Sequence, residues 1–204
     1  NFWKIGGRKG MDRYASVQRQ TQETAISVEI CLDSGERDIS TGIGFFDHML
    51  SAFAVHGGFG LKVSAQGDLE VDCHHTVEDT GIVLGQAFAQ ALPTKRGIRR
   101  FGHAFIPMDE ALAFAAADIS GRPFLVFQGE FPQERVGGFD TCMTEEFFRA
   151  FAVNAGLTLH IRCEYGKNSH HMIEAVFKAV AHALREAVSM EADSNILLSS
   201  KGVL

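Results

Sequence analysis

Proline is scarce in this 204-residue chain, at 4 residues, and tryptophan occurs once. Polyproline spacers and collagen-like repeats are thereby excluded. The four cysteines, Cys31, Cys73, Cys142 and Cys163, never stand in C-x-x-C spacing. Neither a zinc ribbon nor a dithiol redox pair is written here, and scattered thiols read as buried side chains rather than disulfides. Cys73, beside His74, is the one thiol placed to act as a soft metal ligand. No apolar run reaches the length of a membrane span, and the N-terminus lacks the apolar core of a signal peptide, so a cytoplasmic protein is the expectation. Positive charge is not in excess either. A formal net charge of -6 argues against nucleic acid or an anionic membrane as partner and confines any anion site to a local cluster.

What is present is a globular composition, 46% hydrophobic and 22% charged, on a chain long enough to bury a real core. Residues 1–10 form a basic, glycine-containing lead-in, with Met11 closer to a natural start, and stand apart from the fold. Periodicity predicts strands over 24–32, 59–65, 111–119, 124–128 and 157–163. It predicts helices over 45–56, 76–92, 144–155 and 171–188, the second closed by Pro93.

The two halves repeat. At an offset of 98, Phe53-Ala54-Val55-His56-Gly57-Gly58 faces Phe151-Ala152-Val153-Asn154-Ala155-Gly156, and Leu61-Lys62-Val63 faces Leu159-His160-Ile161. A period of this size means a duplicated supersecondary unit, ββαβα, with repeats of about 11–97 and 98–190 in a single domain, followed by a C-terminal tail.

Chemistry is concentrated in a pentad written twice. His74-His75-Thr76-Val77-Glu78 and His170-His171-Met172-Ile173-Glu174 each open a helical segment, so each puts two imidazoles and a carboxylate on one end of a helix. Imidazole with carboxylate suits a divalent transition metal. One pentad alone is equally well a solvated or capping helix start, but two at equivalent places favour metal. The 98-residue offset adds His48 and Glu146, which face each other and are both ligand-capable. There is no H-E-x-x-H, so the spacing is not that of a zincin protease.

Basic residues cluster in Lys95-Arg96-Gly97-Ile98-Arg99-Arg100, in the Ser120-Gly121-Arg122-Pro123 turn and in Ser199-Ser200-Lys201-Gly202, with Lys178 one turn beyond Glu174. Guanidinium forks, ammonium groups and a hydroxyl are what a phosphate dianion needs. Glu23 and the pair Asp109-Glu110 lie beside predicted strands and are the carboxylates available for proton transfer.

Six runs in order, Thr41-Gly42-Ile43-Gly44-Phe45-Phe46-Asp47-His48-Met49-Leu50, His74-His75-Thr76-Val77-Glu78-Asp79, Pro107-Met108-Asp109-Glu110-Ala111-Leu112, Asp118-Ile119-Ser120-Gly121-Arg122-Pro123, Gly166-Lys167-Asn168-Ser169-His170-His171 and Ser199-Ser200-Lys201-Gly202, resemble the imidazoleglycerol-phosphate dehydratase family. The resemblance runs from about Tyr14 to Leu204. It implies an α/β (α+β) fold of duplicated half-domains, ribosomal protein S5 domain 2-like, with helices packed between sheets. It also implies a 24-subunit homo-oligomer with active sites between subunits, and two Mn(II) ions per site.

The implied metal ligands are His48, His74, His75, Glu78, Glu146, His170, His171 and Glu174. The implied phosphate contacts are Arg100, Arg122, Lys178, Ser199 and Lys201. Arg19, His56 and Asp109 are expected to line the pocket, and Glu23, with Glu174 and Asp109, to carry the acid/base and metal chemistry. The implied reaction dehydrates a phosphorylated imidazole, imidazole glycerol phosphate, in histidine biosynthesis, through ring ionisation and a diazafulvene. A dinuclear phosphohydrolase and a non-catalytic metal-binding shell protein are the competing readings.

Overall fold

The computed structural model describes residues 13–191, 196–200 and 202. The lead-in 1–10 and Lys201 lie outside the described residues. The first half runs β1 (Tyr14–Gln20), β2 (Thr24–Cys31), β3 (Arg37–Ser40), α1 (Gly44–Gly57), β4 (Gly60–Gly67) and α2 (His74–Ala91). The second runs β5 (Phe101–Met108), β6 (Ala111–Asp118), β7 (Phe124–Gln128), the hairpin β8 (Arg135–Val136) and β9 (Phe139–Asp140), then α3 (Met143–Ala155), β10 (Thr158–Tyr165) and α4 (Ser169–Ala187). Among the described residues no helix is long and apolar enough to cross a membrane.

Each half builds one four-stranded sheet, ordered β1-β2-β4-β3 and β5-β6-β10-β7, with only the β3–β4 and β7–β10 pairs parallel. The duplicated α/β fold is therefore present, and each half carries more strands than periodicity shows. β3 is short and largely exposed, and β1 buries only Ala15 fully, so neither has an apolar stripe to read.

The offset also has two values. Tyr14, Thr24 and Arg37 open β1, β2 and β3, while Phe101, Ala111 and Phe124 open β5, β6 and β7, 87 positions later in each case. Beyond the β8–β9 hairpin the offset becomes 98, from Gly60 to Thr158. The hairpin is thus an insertion peculiar to the second half.

Helices meet across the middle, α2 on α3 and α1 on α4. At the first crossing a Cβ on Gly81 would stand 2.7 Å from the Phe147 carbonyl oxygen, and one on Gly85 would stand 2.6 Å from that of Phe151. The backbones therefore touch, which only glycine permits. At the offset of 96 that relates the pentads, α4 carries Phe177 and Ala181 in those places. Phe177 packs its ring 5.3 Å from Phe147 and 4.7 Å from Phe148. Compensation comes from the sheets. Ile26, Val28 and Ile30 face inward from β2, but Ala113, Ala115 and Ala117 do so from β6, so α4 sits closer to its own sheet.

Candidate metal centre

All four helices present their N-terminal ends to the ligand-bearing side of the fold. His48 and Glu146 lie in the opening turns of α1 and α3, and the pentads open α2 and α4. The pentad starts are fixed by side-chain caps two residues ahead. Asn168 Oδ1 accepts the His170 N–H at 2.9 Å, and Asp72 Oδ1 accepts that of His74 at 2.7 Å.

One compact ligand group results. His48 Nε2 lies 3.5 Å and His170 Nε2 3.3 Å from the same Glu174 oxygen, and the donor atoms of all three fall within 4.8 Å of one another. Glu174 is buried, and its second oxygen takes Lys178 Nζ at 2.6 Å. Burial alone would raise its pKa. The Lys178 hydrogen bond and charge, with His48, outweigh that and hold it below the ordinary carboxylate value, so it stays ionised. Two imidazoles and an ionised carboxylate converging at this spacing fit a divalent transition metal.

The quasi-equivalent residues are more open. His74 Nε2 lies 3.4 Å from Glu78, and Glu146 lies across a cleft of about 480 Å³ lined by both His74 and Glu146. Here Arg149 occupies Glu146 at 3.4 Å. Cys73 is buried and accepts the Asp140 N–H, and burial raises its pKa, so it behaves as a packed thiol.

The second histidine of each pentad turns away from its own glutamate. His75 Nδ1 is 2.9 Å from Asp68 and 3.8 Å from Glu23; His171 Nδ1 is 2.7 Å from Glu110, with Nε2 3.5 Å from Asp109. Both imidazoles titrate above the usual value because of the hydrogen bond to Asp68 or Glu110, and Glu110 is held down to about 2, first by His171 and then by the N–H groups of Lys167 and Asn168.

Glu110 lends stability above its ordinary 4.5, lost as pH falls through about 2. His171 lends it below 6.5, lost as pH rises through its raised value. The metal-free protein should therefore gain most from this pair between pH 4.5 and 6.5. A divalent metal held by His75 and His171 would have to displace those protons, so its affinity would fall as pH drops through the raised histidine values. Titrations at several pH values check it; a pH-independent affinity would remove His75 and His171 from the ligand set.

Arg19 and Glu23 occupy one braced corner. Arg19 pairs with buried Asp79, which also accepts the Thr24 hydroxyl, while the Thr21 hydroxyl accepts the N–H groups of Glu23 and Thr24 at 3.1 and 3.0 Å. The basic residues gather elsewhere. Arg100 is gripped by Asp118 at 2.7 and 3.1 Å, Arg122 reaches the same carboxylate at 4.0 Å, and Arg100 also donates to the Leu198 carbonyl, which brings the tail with Ser199 alongside. Lys178 is not in that cluster; it bridges Glu174 and the Met108 sulfur at 3.5 Å. His56 lies in the last turn of α1, its Nδ1 3.2 Å from His182 Nε2. Arg100 and Asp109 are the only non-glycine residues with positive φ among those described, at 68° and 48°, a strain that tends to collect at functional sites.

The residues that sequence reading passed over are Asp68, Asp79, Asp118 and His182. Asp79 and Asp118 stand inside two of the six motif runs, where a carboxylate beside cations signals a brace. Asp68 has no such signal.

A family model described as imidazoleglycerol-phosphate dehydratase matches residues 41–184. The chain belongs to this family. The enzyme of that name from Acetivibrio thermocellus is 56% identical over 195 residues, covering 95% of this chain and all of the relative, and that from Gluconobacter oxydans is 56% identical over 194. The crystal structure of the Staphylococcus aureus dehydratase superposes with a TM-score of 0.80 at 44% identity, over 87% of this chain and 99% of that one. The Pyrococcus furiosus structure, in complex with (S)-C348, also gives 0.80, at 38% identity over 92% and 100%. Membership makes this chain a hydro-lyase of histidine biosynthesis, and the family's metal dependence agrees with the His48, His170 and Glu174 group.

Proposed function

We propose that this chain dehydrates imidazole glycerol phosphate to imidazole acetol phosphate, in the cytoplasm, as a single catalytic domain of two repeats with a phosphate-binding tail. The observation that carries it is the convergence of His48 and His170 on ionised Glu174, repeated more loosely by His74, Glu78 and Glu146. Two Mn(II) ions per site, held by these six with His75 and His171, would supply Lewis acidity and a template for the imidazole ring.

The reaction removes hydroxide from the carbon next to the ring and a proton from its neighbour, giving an enol that becomes the ketone. Glu23 takes that proton, Asp109 lies across the pocket, and Arg19 and His56 line it. Arg100, Arg122, Lys178, Ser199 and Lys201 hold the phosphate, and that binding fixes the reacting carbons.

A shared site explains the distances. The Arg100 N–H bonds the Ala187 carbonyl at the C-terminal end of α4, while His170 opens that helix. At 1.5 Å per residue the two ends are roughly 25 Å apart. A three-carbon chain between ring and phosphate cannot span that, which supports a site in which the Arg100 and Arg122 cluster of one copy meets the ligands of another, with Lys178 acting from the ligand-bearing copy, in keeping with a 24-subunit assembly. Exposed Phe101 and Phe105 on β5 and the Phe124 side chain on β7 offer apolar surface for such contacts.

The deciding assay incubates Mn(II)-reconstituted protein with the substrate. Ketone without inorganic phosphate supports dehydration; phosphate release would favour a metallohydrolase. Arg122→Ala should raise KM about 10- to 100-fold, the worth of a charge-assisted hydrogen bond, at unchanged metal content. Parallel loss of metal would sink that division of roles.

A further inference from the structure

Glu23 directly precedes β2 and Glu110 directly precedes β6, 87 positions apart, so the two glutamates are quasi-equivalent. They do not behave alike. Glu110 holds His171 Nδ1 at 2.7 Å while its other oxygen accepts the N–H groups of Lys167 and Asn168 at 3.0 and 2.8 Å. Glu23 stands 3.8 Å from His75 Nδ1, beyond hydrogen-bond reach, and Asp68 makes that bond instead at 2.9 Å.

Asp68 follows β4, and at the 98-residue offset its counterpart is Gly166. The same imidazole–carboxylate bond is thus made from unrelated backbone positions in the two halves. A mere relic of duplication would use the same position twice, so the recurrence points to a requirement for the bond itself.

The physical reason lies in the imidazole tautomer. An Nδ1–H donated to a carboxylate leaves the lone pair on Nε2 and locks the ring plane, the arrangement that metal-ligating histidines need. We infer that Asp68 and Glu110 are positioning residues that present Nε2 of His75 and His171 to a divalent ion, and that Asp68, by taking over in the first half, frees Glu23 for proton transfer. The inference rests on the metal reading above. The corner around Glu23 agrees with it. Arg19, Thr24 and Asp79 brace that turn with polar contacts, whereas their counterparts in the second half are Ile106, Ala111 and Ala175.

The test titrates Mn(II) by calorimetry into metal-stripped full-length protein, wild type beside Asp68→Asn, Glu110→Gln and Glu23→Gln, with melting of the metal-free proteins alongside. In Glu110→Gln the amide oxygen stays with the N–H groups of Lys167 and Asn168, so the NH2 faces Nδ1 and favours the tautomer with the proton on Nε2, while Asp68→Asn removes the charge that holds the proton on His75 Nδ1. Asp68→Asn and Glu110→Gln should each lose about 10- to 100-fold in affinity for one of the two ions, while Glu23→Gln keeps both. Measured at a pH above the raised titration of His75, where the ring is neutral and an amide can still hydrogen-bond it, the metal-free melting of Asp68→Asn should stay close to wild type; this separates positioning from a structural role. If Glu110→Gln fails to fold, Asp68→Asn decides. Wild-type affinity for both ions in Asp68→Asn overturns the inference, and equal loss in Glu23→Gln overturns the division of labour. A wild type that binds no Mn(II) overturns the metal reading beneath it.

Discussion

Replacing His74 and His170 together by alanine is expected to strip bound Mn(II) and lower turnover by on the order of 10³-fold or more, since Lewis-acid stabilisation is worth several kcal/mol and each 1.4 kcal/mol is tenfold. Each residue supplies the imidazole that faces its pentad carboxylate, at 3.4 Å from Glu78 and 3.3 Å from Glu174. The losses should be unequal when the residues are changed singly. Glu174 is buried and retains His48 and Lys178, so His170→Ala keeps a charged, partly formed pocket. Glu78 is more open, and Glu146, on the cleft that His74 lines, is engaged by Arg149, so His74→Ala leaves little behind. Metal analysis by elemental emission, with turnover on the same samples, checks both. A double variant with wild-type Mn(II) content and rate would remove the pentads from the metal assignment.

Glu23→Gln is expected to lower turnover about 10²- to 10⁴-fold, the usual weight of a positioned general acid or base, while leaving assembly and metal content as they are. The glutamine fits the same turn, because the Thr21 hydroxyl holds the local backbone and Asp79 holds Arg19; neither contact uses the Glu23 side chain. KM should move much less than kcat, since the phosphate groups lie elsewhere. A variant turning over at near the wild-type rate would take Glu23 out of the chemistry and return attention to Asp109.

The helices and the histidine clusters that open them were legible because helical periodicity and paired histidines are strong local signals, and because α1, β4, α2 and their counterparts keep one offset to within two residues. The leading strands were not. β1 and β3 are poor in buried residues, and β5 exposes Phe101 and Phe105 where a strand beside the core would hide them. The hairpin insertion shifted their correspondence from 98 to 87, which concealed the kinship of Glu23 and Glu110. Within the pentad, i and i+4 spacing predicted the His74–Glu78 and His170–Glu174 pairs. It could not show that His75 and His171 swing to carboxylates from other elements, since Asp68 and Glu110 are 7 and 61 residues away along the chain.

The backbone contact at Gly81 and Gly85 has a historical consequence. Two identical ancestral halves could have paired in either order, and either could have been copied over the other without harm. With glycine on α2 where it meets α3, and Phe177 on α4 packed beside Phe147 and Phe148, neither half can stand in for its twin. A chain built from two first halves would leave a void where Phe177 sits, and one built from two second halves would drive a phenyl ring into a neighbour's carbonyl. The packing has thus made the duplication irreversible, and with it the separate careers of the two histidine pentads.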